Sequence, residues 1–267
     1  MRVRVSLTHP TTQLCGFRAG SPARTVTDME SGVTGAVFGR SALWADRPAL
    51  IDFGEGRAVS HETLAATVRR AATGLVRRGT RPGQTAAVCT DGVTGYLTAV
   101  FAVVAAGGVA LPLSVPDPAE LLAHDVRLMF TGERLAAEAV SAAEASRVRQ
   151  VVSFGGGHGA TEFDVLLGLD PLPLPVADAR SAAVVAEEGE LSHDGFAEAM
   201  ALLDGHVSLD ERDVVLVDWP PSGSADLAVL GGLAFAKGAM LVTGGGRELG
   251  VTVAAVVECG KRGLRRI

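Results

Sequence analysis

The segment Trp219-Pro220-Pro221-Ser222-Gly223-Ser224 lies just beyond an apolar run, Asp213 to Val217, that reads as a strand. Open α/β sheets bind ligands outside the carboxyl ends of their strands, so this is the first place to look for a site. The plainer reading is a loop stiffened by proline. Neither Ser222 nor Ser224 sits in the Gly-x-Ser-x-Gly turn that exposes a nucleophilic serine. Phe154-Gly155-Gly156-Gly157-His158-Gly159 also follows a predicted strand. A dinucleotide fingerprint needs its glycines to open a helix, and Ala160 to Leu167 is a weak one. Gly244-Gly245-Gly246 reads as a flexible turn. His193 and His206, with Asp194 and Asp204 beside them, offer proton-transfer groups, but nothing in their spacing fixes a metal, and isolated surface histidines are the default. Cys15, Cys89 and Cys259 are far apart, odd in number and free of any Cys-x-x-Cys pair. They point to neither a disulfide framework nor a zinc site, and to a reducing cytoplasm as the compartment.

The elements that must hold these groups alternate. Ala49 to Phe53 is a short apolar run, Gly54-Glu55-Gly56 a hairpin-like turn, and Arg57 to Val59 a return strand. Ser60 is placed to cap a helix whose inner face is Leu64, Val68, Ala72 and Leu75. Arg77 and Arg78 lie at its C-terminal end, where the dipole favours cations, and Gly79 ends it. Strands follow at Gln84 to Thr90, Val109 to Leu113, Val126 to Phe130 and Arg149 to Phe154, with helices at Val93 to Ala106, Pro118 to His124 and Glu133 to Ser146. Beyond the prolines at 171, 173 and 175 the spacing predicts strands at Ala182 to Ala186, Asp213 to Val217 and Ala239 to Thr243. Helices are predicted at Ser192 to Leu203, Asp226 to Ala236 and Leu249 to Cys259. Apolar strands alternating with helices predict an α/β fold of layered, mainly parallel sheets with helices on both faces. The expected organisation is a loose arm over 1–40, with a short helix near Val33 to Trp44, then a first α/β subdomain over 41–170. A Pro-rich linker over 171–180 leads to a second, incomplete α/β subdomain over 181–267.

Composition narrows the field. The chain has 267 residues, 48% hydrophobic and 20% charged, which is globular and not disordered. A net charge of −6 gives no broad attraction to nucleic acid or to anionic membrane. Gly92 to Val115 is uncharged and long enough to span a bilayer. The Gly107-Gly108 break and Pro112 instead divide it into a buried helix feeding a buried strand.

The ordered series from Pro48 to Leu113 resembles the opening of the adenylate-forming (acyl-CoA synthetase, AMP-binding) superfamily. It is carried by Ser60-His61-Glu62-Thr63-Leu64, Leu75-Val76-Arg77-Arg78-Gly79, Arg81-Pro82-Gly83-Gln84 and Ala105-Ala106-Gly107-Gly108-Val109-Ala110-Leu111-Pro112-Leu113. Glu190-Leu191-Ser192-His193, Asp213 to Val217 with Trp219-Pro220, and Gly232 to Val242 keep the family's order, so the resemblance runs from about residue 40 to 260. It implies a fold like the N-terminal subdomains of those enzymes. It also implies a lineage of ATP-dependent acid–thiol ligases, which use ATP, Mg and CoA to pass a carboxylic acid through an acyl-adenylate to a thiol.

The same resemblance exposes a gap. Family members hold the triphosphate in a Ser/Thr/Gly-rich loop ending in Pro-Lys-Gly, whose backbone amides and lysine meet the phosphates. Here the strand ending at Ala186 passes through Glu187-Glu188-Gly189 straight into Glu190-Leu191-Ser192-His193. Lys237 and Lys261, the chain's only lysines, match neither family lysine, and the family's adenine site and C-terminal lid are expected beyond the stretch matched. The expectation is therefore a truncated, non-catalytic homologue serving as a binding or scaffolding subunit. It needs no cofactor of its own, and its partner, a second copy or another protein, docks on an exposed sheet edge. The alternative is a ligase active only with a partner chain that supplies the missing sites. No residue is assigned a catalytic, cofactor-binding or metal-ligating role. Family members carry an aromatic residue and a His near the strand end that line the acyl pocket, so Trp219, Ser222 and Ser224 are the candidate substrate-binding residues, though no His stands there.

Overall fold

Ser60 caps the first long helix as its position predicts: its hydroxyl accepts the Thr63 amide at 3.2 Å, and α2 (His61–Arg77) follows. Leu64, Val68, Ala72 and Leu75 are all buried, and Gly79, at φ +92°, turns the chain out of the helix. Upstream, β1 (Pro48–Asp52) and β2 (Arg57–Ser60) form the expected hairpin. These elements come from a computed structural model that describes residues 32–168, 172–186, 189–218, 224–245, 251–258 and 261–266.

The chain then builds β3 (Thr85–Cys89), α3 (Val93–Ala105), β4 (Val109–Pro112), α4 (Pro118–Ala123), β5 (Leu128–Gly132), α5 (Ala136–Glu144) and β6 (Gln150–Phe154). Next come β7 (Thr161–Glu162), α6 (Asp164–Leu167), β8 (Ala182–Ala186), β9 (Gly189–Ser192), α7 (His193–Val207) and β10 (Val214–Asp218). The last elements are α8 (Ala225–Lys237), β11 (Met240–Thr243), β12 (Val253–Glu258) and β13 (Lys261–Arg266). Gly92 to Val115 resolves into α3 and β4, and no described helix is long and apolar enough to cross a membrane.

Two sheets form, ordered β7-β6-β5-β3-β4-β8-β9 and β13-β12-β10-β11-β1-β2. Their interiors are parallel; the antiparallel pairs are the hairpins β1–β2, β8–β9 and β12–β13. Between the sheets lies a helical layer of α1 (Gly32–Phe38), α2, α3, α7 and α8. Period-2 alternation sorts the side chains. Ala86 and Val88 of β3 face this layer, while Ala87 and Cys89 join Leu121 of α4 and Ala139 of α5 on the other face. Val215 and Val217 of β10 likewise point inward, and Val214 and Leu216 outward. Every α3 residue except Thr94 is buried, the mark of a helix enclosed on all sides. Leu97 and Phe101, fully buried within it, each contribute about 2 kcal/mol of apolar transfer.

Three expectations change. Residues 249–259 do not form a helix in the part described: β12 runs parallel to β10, with Val253 opposite Val215, where the β-branched run fits a pleated strand better than a helical turn. The chain is not divided at 171–180, because β1 and β2 complete the second sheet and β8 and β9 the first, so strands cross the expected boundary in both directions. The loose arm ends earlier than residue 40. α1 buries Val33, Val37 and Phe38 in the helical layer, and Phe38 meets Phe101 edge-on at 5.3 Å.

Candidate functional site

The expected site begins at the junction of β8 and α7. The strand β8 does not run straight into the helix. It pairs antiparallel with β9, Val185 opposite Glu190 and Ala186 opposite Gly189. Only Glu187 and Glu188, which lie outside the described residues, connect the two strands. The helix beyond them is closed. Ser192 caps α7 by accepting the Gly195 amide at 3.1 Å, and Asp194 sits in the first turn. His193, expected at the surface, is buried, and its Nδ1 accepts the Val33 amide at 3.2 Å across the start of α1. Burial holds its pKa below the ordinary value, in keeping with an unprotonated Nδ1 acceptor.

His193 and His206 do not meet. They stand at opposite ends of α7, about 20 Å apart at 1.5 Å per residue. His206 Nδ1 is 2.7 Å from the Leu202 carbonyl, and Asp204 is engaged by Lys237 Nζ and the Leu209 amide. Among the described residues no group of three His, Cys, Asp or Glu is gathered to hold a metal.

Of the three candidate substrate-binding residues, Trp219 and Ser222 lie outside the described residues. Ser224 is buried at the start of α8, and its carbonyl accepts the Tyr96 hydroxyl at 2.6 Å. That bond ties the strand-end loop to α3 in the middle of the helical layer.

The carboxyl ends of the first sheet hold groups that sequence reading passed over. β3 sends its helix to the inner face and β5 to the outer one, so the crevice between their ends is the topological switch point where such sheets usually take ligands. Here it is filled by Asp91. Its carboxylate accepts the Arg134 Nε at 2.9 Å and the Arg134 amide at 3.1 Å. A Cβ on Gly132 would fall 1.6 Å from Asp91 Oδ1, so only glycine admits this plug. Glu55 packs against Gly92 on the same side, and its carboxyl pKa is raised by burial first, then by Asp52.

Beside the plug a cavity of about 420 Å³ opens between α2 and α3. Thr63 and Thr67 face it from one helix, Thr94 and Thr98 from the other, each pair one turn apart. Phe154 and Phe163, stacked with centroids 4.3 Å apart, form an apolar wall, and the Thr94 hydroxyl is enclosed with no hydrogen-bond partner. The glycines after Phe154 do line this cavity, but they make no phosphate cradle. Glu133 Oε2 and Glu162 Oε1 each stand 3.0 Å from where a Cβ on Gly155 and Gly156 would be, so carboxylates cover them. Gly244 instead allows backbone contact, with the Gly54 nitrogen 2.6 Å from its would-be Cβ. The i, i+4 threonine pairs were the one signal for the cavity available in the sequence.

The order of the strands, the capped α7 and the Tyr96–Ser224 tie can be set against known proteins. The profile of the AMP-binding enzyme family matches residues 38–156. Over that stretch, a little under half of its length, this chain is similar to the adenylate-forming enzymes. A curated relative, 4-coumarate–CoA ligase-like 5 of Oryza sativa subsp. japonica, is 32% identical over 156 residues, covering 56% of this chain and 28% of its own length. Among solved structures, a long-chain-fatty-acid–CoA ligase from Archaeoglobus fulgidus superposes with a TM-score of 0.70 at 16% identity, over 85% of this chain and 49% of that one. The inhibitor-bound N-terminal domain of FACL13 from Mycobacterium tuberculosis gives 0.69 at 13% identity, over 80% and 57%. The chain thus spans about a quarter of the curated relative and about half of the structural ones. The fold is the one found in adenylate-forming N-terminal domains, and the homology is to acyl-CoA ligases.

Proposed function

We propose that this polypeptide is a non-catalytic member of the acid–thiol ligase lineage, acting as a binding or scaffolding subunit. One observation carries the reading: β8 and β9 are joined by two residues where adenylate-forming enzymes are expected to carry their phosphate loop. The link is Glu-Glu, with Glu190 exposed just after it, so the local charge opposes a triphosphate instead of holding it. Loss of a single oxyanion donor costs about 3–4 kcal/mol of transition-state stabilisation in known enzymes. Loss of a loop and its lysine removes several such donors together. The first amides of α7 are already taken: His193 by the Ser181 carbonyl, Asp194 by the Ala179 carbonyl and Gly195 by the Ser192 hydroxyl.

On this reading the scaffold meets its partner, a second copy or another protein, along an exposed sheet edge, whose unpaired backbone is a template for another strand.

The test is ATP–pyrophosphate exchange on the purified chain with a panel of aliphatic and aromatic carboxylic acids. Exchange at background is expected with every acid. Robust exchange with any of them refutes the non-catalytic reading.

A further inference from the structure

The amino ends of the first sheet carry a charge pattern that the fold does not need. Arg81 precedes β3, Arg127 precedes β5 and Arg149 precedes β6. In the sheet these strands are immediate neighbours in the order β6-β5-β3. The Arg149 amide bonds the Arg127 carbonyl at 2.9 Å, which places the two residues side by side. Arg127 and Arg149 thus stand about 4.8 Å apart on adjacent strands, and Arg81 lies beside them in the turn that leads into β3. Arg78, at the end of α2, closes one side. Together they line a groove of about 740 Å³.

Within this groove Asp125 is the single acidic residue, against four arginines. Its carboxylate is shared between Arg127 at 2.9 Å and Arg147 at 3.1 Å, and the Arg147 hydrogen bond is the first cause of its lowered pKa. Among the described residues no carboxylate lies within ion-pair distance of Arg78, Arg81 or Arg149. The groove is therefore net positive on a chain whose net charge is −6. A guanidinium presents two parallel donors that match phosphate oxygens, and uncompensated arginines in a concave site focus anions toward it. The C-terminal dipole of α2 works against an anion here, but Arg77 and Arg78 sit on that end and offset it.

We propose that this groove binds a small linear oligophosphate, such as inorganic pyrophosphate or the phosphate tail of a nucleotide. Four arginines distributed around one groove fit the several phosphates of a chain better than a single phosphate. The site is at the opposite end of the first sheet from the β8–β9 hairpin, and binding there does not restore adenylation. The inference is independent of the non-catalytic reading.

Tripolyphosphate is the probe, titrated calorimetrically into the full chain at low salt and at about 150 mM salt. Saturable binding that weakens with salt is expected, with orthophosphate at least about ten-fold weaker. Arg81→Gln/Arg149→Gln, both exposed positions, weakens tripolyphosphate about ten-fold or more, whereas Arg180→Gln on a distant exposed turn leaves it unchanged. Amide shifts on titration are expected at Gly79 to Thr85 and Arg127, and not at Gly189 to Ser192. No saturable binding, equal binding by the double variant, or shifts centred on the β8–β9 hairpin overturn the proposal. So does a poly-glutamate peptide that binds as tightly as tripolyphosphate, since the groove then reads acidic protein.

Discussion

His61 is a histidine whose protonation the fold resists. It opens α2, is only 2% exposed, and its ring lies 5.8 Å from that of Trp44 and 6.3 Å from that of Phe235. Burial, with the nearby Arg47 guanidinium adding to it, pushes its pKa down from 6.5 to about 4. A histidine held neutral in the native state leaves stability intact above its unfolded pKa. That stability is lost as pH falls from about 6.5 toward 4, because only the unfolded chain gains the proton. At pH 5 the difference in proton uptake is worth about 2 kcal/mol, at about 1.4 kcal/mol per pKa unit. His61→Phe removes the titration and keeps an aromatic ring in the seam, and His61→Gln guards against a packing artefact. Urea unfolding of the three proteins at pH 7.5 and pH 5 measures the effect. The wild-type chain is expected to lose about 2 kcal/mol more than either variant, with m unchanged. Carboxylates and His193 titrate alike in all three and cancel in the difference. If the variants lose stability in step with wild type, to within about 0.5 kcal/mol, His61 is solvated or partnered when charged and the reasoning fails.

Two further outcomes follow from contacts in the helical layer. Tyr96→Phe removes the hydroxyl that the Ser224 carbonyl accepts and is expected to cost about 1 kcal/mol in urea unfolding, the net worth of one hydrogen bond; no measurable loss means the bond contributes nothing net. Gly74→Ala ordinarily gains up to about 1 kcal/mol inside a helix. Here the new methyl would stand 2.4 Å from the Leu166 carbonyl oxygen, so the sign reverses to a loss of about 1–3 kcal/mol, and a stabilised variant would refute the close packing of α2 on α6.

Much of the local structure could be read directly. The Ser60 cap, the apolar face of α2, the enclosed α3 and the strands from β3 to β6 all follow from side-chain period and punctuation within a dozen residues. The short spacing between Ala186 and Ser192 was also visible, because it is a matter of counting residues. The β9 strand was not: Gly189 to Ser192 is too short and too polar to show alternation, and it is a strand only because β8 lies alongside it. The cavity threonines were passed over because helix spacing says which residues share a face and not what that face meets.

The sequence by itself determined most of the element types from β1 to β6, the layered α/β class and the short spacing between Ala186 and Ser192, since these depend on propensity, periodicity and chain length between neighbours. Tertiary structure alone decided which strands share a sheet. β1 reaches across some 190 residues to pair with β11, and β8 joins β4, because any apolar strand offers the same backbone hydrogen bonds and only global packing selects its neighbour. The same packing placed His193 against α1, Asp91 in the switch-point crevice and four arginines distant in sequence around one groove.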